Sequence, residues 1–236
     1  MVECDLAKVD VAGSNPVSRS KLPIGVPAMK NALVLFTLAA GVAFGQYKME
    51  STGAPPADLP PAFSSLLQQQ GVKILAASGS VYAELWLRAK APSGPKSTDD
   101  GVALPTIPQG ALLGVIRFGG PAQDRRGQPI KPGVYTLRYS NYPVNGDHQG
   151  VAPQRDFALL VPISQDTDAS ATPAFDALVA LSTKASGTPH PAVFSLSSSS
   201  SDKFPNFSKQ GEHDWTLDAK LGDLPISIIL IGKVDG

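Results

Sequence analysis

From residue 79 onward the chain is a succession of short apolar segments, most of them bounded by Gly, Pro, Asn or Asp. "GSVYAELWLRAK" (79–90) sets Val81, Ala83, Leu85 and Leu87 against Tyr82, Glu84, Trp86 and Arg88. That two-residue period predicts a half-buried strand with its aliphatic side inward. Further strands are expected at 111–118, 133–140, 156–163, 192–197, 214–221 and 226–234. Consecutive strands without helical crossovers exclude a doubly wound sheet and favour an antiparallel sandwich or barrel. The expectation is a mainly β chain, an antiparallel β-sandwich with one or two short helices.

Two stretches carry helix signals. In "DLPPAFSSLLQQQG" (58–71), Asp58 is placed to cap, Phe63, Leu66 and Leu67 share a helical face, and Gly71 is a stop. Later, Thr172 is placed to cap and Pro173 to take the first helical position. Phe175, Leu178 and Val179 then share a face, Lys184 falls in the last turn and Gly187 ends the helix.

Upstream, Lys30 and Asn31 precede the 13-residue apolar run Ala32–Phe44, and Ala43 and Gly45 set small residues before Gln46. The run is shorter than the ~20 helical residues that span a bilayer and has the parts of a secretory signal peptide. Residues 29–45 are therefore expected to be a leader, with the protein exported to the periplasm or beyond the cell. Residues 1–28 lack apolar periodicity, and "VAGSNPVSRS" reads like translated transfer-RNA gene sequence, so they are expected to be an upstream extension with Met29 as the start. Residues 46–61, rich in Pro, Ala and Gly, are expected to be a linker, and 62–236 a single domain.

Composition then limits the chemistry. The sole cysteine is Cys4, so residues 46–236 hold no thiolate zinc site, cysteine nucleophile or disulfide. Basic and acidic residues number 20 each, and the part after the leader has one acidic residue in excess, which gives no bulk attraction to nucleic acid. No membrane span is expected after the leader. The short glycine-rich, serine-hydrolase and zinc-protease signatures do not occur.

"GQPIKPGVYTLRYSNYPVNGDHQG" combines a Pro132-Gly133 turn, a strand and a polar loop. Its P-G-x-Y-x-L entry resembles the last strands of transthyretin-like and carboxypeptidase-regulatory-like β-sandwich domains, which implies a binding or structural module. The longer run from Gly114 to Pro162 resembles a group of uncharacterised secreted bacterial proteins, which implies export.

In the loop itself, Asp147 and His148 could join His213, with Glu212 and Asp214, as imidazole and carboxylate ligands of a divalent metal. The preferred reading makes Asn145-Gly146-Asp147 a turn and His148 a solvated residue, with no cofactor. Tyr142, Arg155, Asp156 and Trp215 are the candidate ligand-binding residues beside it. Asp166-x-Asp168-x-Ser170 opens like a calcium loop but has Ala171 and Ala177 where the glycine and glutamate belong. Three functions are expected in order: a non-catalytic module for a protein or glycan partner, a metal protein using Asp147 and His148, and a carbohydrate-binding module with Trp86, Trp215 and Tyr142 exposed in a row.

Overall fold

The computed structural model of the chain describes residues 47–142 and 154–233. The expected leader and upstream extension, and Asp147 and His148, lie outside the described residues. In chain order the elements are β1 (Lys48–Thr52), α1 (Pro61–Ser64), β2 (Gly71–Leu75), β3 (Val81–Leu87), β4 (Leu112–Phe118), β5 (Ala122–Gln123), β6 (Pro129–Ile130), β7 (Gly133–Asn141), β8 (Asp156–Pro162), α2 (Phe175–Ser186), β9 (Val193–Ser198), β10 (Asn206–Gln210), β11 (Asp214–Leu221) and β12 (Leu224–Ile231). Ten strands form one antiparallel sheet in the order β1-β2-β3-β4-β7-β8-β9-β12-β11-β10, and β5 pairs with β6 as a separate hairpin. The class is thus mainly β with two short helices, as expected. Strand twist curls the sheet until β1 and β10 approach each other, so that it nearly closes into a barrel.

Alternation along the strands fills the interior. Ala83, Leu85 and Leu87 face inward with Ile116, Phe118, Leu137, Leu160, Leu217 and Ile228, all buried in one cluster. The opposite face of β3 was expected to be the polar one, yet Trp86 is only 1% exposed. It packs on the outer side under Phe63 and Leu67, together with Leu112 and Val115, and its indole N–H donates to the Gly53 carbonyl at 2.8 Å. The outer face of β8 is buried as well, with Phe157, Leu159 and Val161 packed against Leu178 of α2. Burial on both faces explains why "DFALLVPI" reads as an unbroken apolar run.

Several boundaries depart from expectation for local reasons. Residues 46–61 are not only a linker, because β1 lies within them and pairs with β2 from Lys48↔Leu75 to Thr52↔Gly71. The first helix is a single turn: Gln68 N–H donates to Leu87 C=O and Ala89 N–H to Leu66 C=O, so residues 66–68 extend alongside β3 instead. α2 starts at Phe175, with Ala174 in the cap position, rather than at Pro173. The preceding residues 168–171 form a turn held by Arg138, which donates to the carbonyls of Asp168 and Ala171. The far end is as expected, with Lys184 in the last turn and Gly187 left-handed at φ 68°.

Candidate functional site

The ends of the barrel differ. Antiparallel alternation gathers the starts of β1, β3, β7 and β11 at one end, where a chain of rings closes the interior. Tyr47, just ahead of β1, meets Tyr82 at 5.7 Å and Trp215 of β11 at 5.6 Å, both edge-on. Trp215 stacks on Phe207 of β10 at 5.4 Å, and Tyr82 leads through Phe118 to Tyr135. Among the described residues no ladder hydrogen bonds join β1 to β10 here, and the ring chain from Tyr47 through Trp215 of β11 to Phe207 of β10 spans the gap instead. Burial pushes the Tyr82 phenol well above its usual range, which keeps this cap uncharged.

At the other end the seam is open. Among the described residues β1 pairs only with β2 and β10 only with β11. Between them lies a cavity of 720 Å³. Its floor is the barrel interior itself, with Leu85, Leu87, Leu217 and Ala219, and Met49 and Val72 form one wall. Gly71 makes this geometry possible, since a Cβ there would stand 2.6 Å from the Leu85 carbonyl and from the Trp86 indole. The rim is polar: Gln70 donates to Ser51 Oγ at 2.7 Å, and Gln68 to the Lys220 carbonyl at 2.8 Å. Lys220 Nζ lies 5.6 Å from the centre of the Phe204 ring, so a cation and an aromatic share one side of the mouth.

The residues singled out in sequence fare differently. Tyr142, Arg155 and Asp156 do come together, but with one another and with the 99–107 loop. The fully buried Asp156 carboxylate accepts from Ala103 N–H at 2.7 Å, Leu104 N–H at 2.9 Å and Tyr139 OH at 2.6 Å. Arg155 donates to the carbonyls of Tyr142 and Asp100. Tyr142 is buried, stacked on Phe157 at 4.3 Å, and desolvation pushes its phenol up to about 12. The side-chain polar groups of Arg155 and Asp156 are thus engaged with the chain itself. Trp215 is half-buried in the ring cap, and Trp86 and Tyr142 are inside, so no exposed row of the three rings exists.

Of the metal candidates, Asp147 and His148 lie outside the described residues. Asp214 is held by Arg125, whose Nε donates to Oδ1 at 2.9 Å, and His213 lies 3.8 Å from Glu212 on an exposed turn. The ends of β7 and β9 and the starts of β8 and β12 share one end of the sheet. His213, ahead of β11, belongs to the other end, away from the strands that flank residues 143–153. Among the described residues no group of three or more His, Cys, Asp and Glu side chains could hold a metal. In the calcium-like stretch, Asp166 pairs with Arg138, and Asp168 accepts from the hydroxyl and N–H of Ser170, which holds its carboxyl below the usual range.

Sequence reasoning missed the seam because its lining comes from residues 49–51, 68–72, 85, 87, 204–205, 217, 219 and 220, which only the strand order brings together. One local signal was present: "QQQG" places three amides directly before a glycine that enters a strand. Among the described residues no helix is long and apolar enough to cross a membrane. No family model, curated protein or solved structure matches the chain.

Proposed function

We propose that this chain is an exported, non-catalytic binding module that takes a small amphipathic molecule through the open seam of its barrel. The observation that carries the reading is the cavity of 720 Å³, apolar in its depth and amide-lined at its mouth. That volume lies in the range of cavities that enclose drug-sized ligands, about 300–1,000 Å³. An acyl or other hydrocarbon body would lie over Leu85, Leu87, Leu217 and Ala219, and a hydrogen-bonding head group would meet Gln69, Gln70 and Lys220. The non-catalytic part is supported by the engagement of buried ionisable groups, Asp156, Arg138 and Asp166, in fixing the chain to itself. Export is supported by the leader-like residues 29–45.

The test is fluorescence titration of the chain from Gln46 onward with a dansyl-labelled fatty acid. Ala219, 7% exposed and facing the cavity, is replaced by Phe to fill it. Saturable binding by the parent and a loss of about tenfold or more in Ala219→Phe, with an unchanged melting temperature, are expected. Equal binding by both proteins would refute the site. Amino-terminal sequencing of the protein recovered outside the cytoplasm tests export, with Gln46 as the expected first residue.

A further inference from the structure

The outer surface of the barrel is covered or ion-paired over most of its circumference. Trp86, Leu112 and Val115 lie under Phe63 and Leu67, and Phe157, Leu159 and Val161 under α2. On β1 to β4, Lys73 pairs with Glu50 at 3.0 Å, and Arg117 with Glu84. Among the described residues no helix covers the outer face of β9, β12, β11 and β10, and the Arg125–Asp214 pair lies at its capped end. The registers Ser227↔Ser197, Asp218↔Ser227 and Asn206↔Asp218 set Ser197, Ser227, Asp218 and Asn206 side by side in one rung across four strands. Thr216 and Ser195 face the same way, and together they floor a cavity of 480 Å³ walled by Gln154 and Gln210.

An ordinary solvated sheet face does not have this form. Asp and Asn are depleted in strands, yet here Asp218 of β11 and Asn206 of the edge strand β10 stand directly opposite each other. Although no helix covers them, Ser195 is 5% exposed and Thr216 and Asp218 are 8% exposed, so they sit in a groove. The Asp218 carboxylate accepts from Ser199 Oγ at 2.7 Å, from Ser227 Oγ and from Asn206 Nδ2 at 3.3 Å, all uncharged donors. It is thereby fixed in place, a rigid acceptor beside hydroxyls that each donate and accept. Among the described residues Lys and Arg do not line the groove, so an anion finds no countercharge from them there. Alternating donors and acceptors on a rigid, narrow floor match a ligand built of neighbouring hydroxyl groups.

We infer that the outer face of β9, β12, β11 and β10 is a second binding site, for a neutral polyhydroxylated ligand of the glycan class. It is separate from the seam in both residues and chemistry, and it does not depend on the seam's being occupied.

The experiment is amide NMR of the chain from Gln46 onward, titrated with maltohexaose, cellohexaose and a chitosan oligomer. Thr216→Val with Ser197→Ala removes two hydroxyls from the floor and leaves every partner of Asp218 in place. At millimolar sugar, shifts are expected at Ser195, Ser197, Thr216 and Ser227 with a neutral oligosaccharide. The double variant should bind about tenfold more weakly, the loss of one or two hydrogen bonds. Ala219→Phe should bind the sugar as the parent does, which separates failure here from failure at the seam. No shifts with any sugar, equal affinity in the double variant, or shifts confined to the seam would overturn the site. Binding of the amine-bearing chitosan oligomer alone would overturn the neutral class, because Asp218 would then be acting as an anion for a cation.

Discussion

Arg138 shows how this chain uses its buried charges. Its guanidinium is wholly buried on the outer side of β7. Nε and Nη2 donate to the two oxygens of Asp166 at 2.8 and 2.7 Å, and the remaining donors reach the carbonyls of Gly110, Asp168 and Ala171. All five N–H groups are thus engaged, so the residue ties two separate segments, at Gly110 and at Asp166–Ala171, to one strand. Arg138→Met leaves Asp166 buried beside only Thr136 Oγ1, and a loss of about 3–5 kcal/mol in urea unfolding is expected. Adding Asp166→Leu should restore part of that loss but not all, because the three backbone carbonyls still lack their donor. Full restoration would mean that the carbonyl bonds contribute nothing. Tyr142 supplies a pH dependence. Its phenol titrates at about 12 when folded against 10.0 when free, so the native state holds the proton longer. Stability from this group is present below pH 10 and is lost as pH rises toward 12, by about 2 kcal/mol across that window. Urea midpoints measured at both ends of the window should fall less steeply in Tyr142→Phe than in the parent.

At the level of elements, close approach between strands decides what can be substituted. A Cβ on Gly71 would strike both the Leu85 carbonyl and the Trp86 ring, neither of which is a flexible chain end. Gly71→Val should therefore separate the start of β2 from β3 and expose Trp86, seen as a red shift of its fluorescence and a loss of more than about 2 kcal/mol. An unshifted spectrum would show that the pair can move apart without cost. The same elements show which signals a sequence carries. β3, β4, β7, β8, β9, β11 and β12 were legible because each buries most of at least one face, and that face imprints an apolar period or run. β1 (KMEST) and β10 (NFSKQ) carry mostly polar residues, as edge strands with few buried positions do, and β2 is short and follows a helix signal. Their pairing is a tertiary outcome. The same cause hid the candidate sites, since the seam is made of those edges, and the serine rung appears only once β12 is inserted between β9 and β11. Asp156 shows what a sequence does not carry: it is placed as a ligand-binding candidate beside Arg155, and only the fold shows that the strand it begins points its carboxylate inward to backbone N–H groups.

For the whole molecule, the consequence of an almost closed sheet is uneven mobility around its circumference. A full barrel has no edges, whereas here β1 and β10 each present one, joined at the capped end through Tyr47 and Trp215 and apart at the cavity. β7 and β8 are bonded on both sides and buried on both faces, so their amides should exchange slowest, near the global unfolding free energy. The amides of β1 and β10 that point into the seam should exchange first. Tyr47→Ala removes the edge-on contact with Trp215 that crosses the seam, worth about 0.5–1.5 kcal/mol, along with its contact to Tyr82 of β3, and should speed exchange in β1 and β10 while leaving β7 and β8 unchanged relative to global stability. A ligand seated between the edges reverses the effect. With the dansyl-labelled fatty acid bound, protection should rise in β1, β2, β10 and β11 and not in β4 or β7. A gain spread evenly over all strands would mean that the ligand merely shifts global stability, and that the gap between β1 and β10 is not its door.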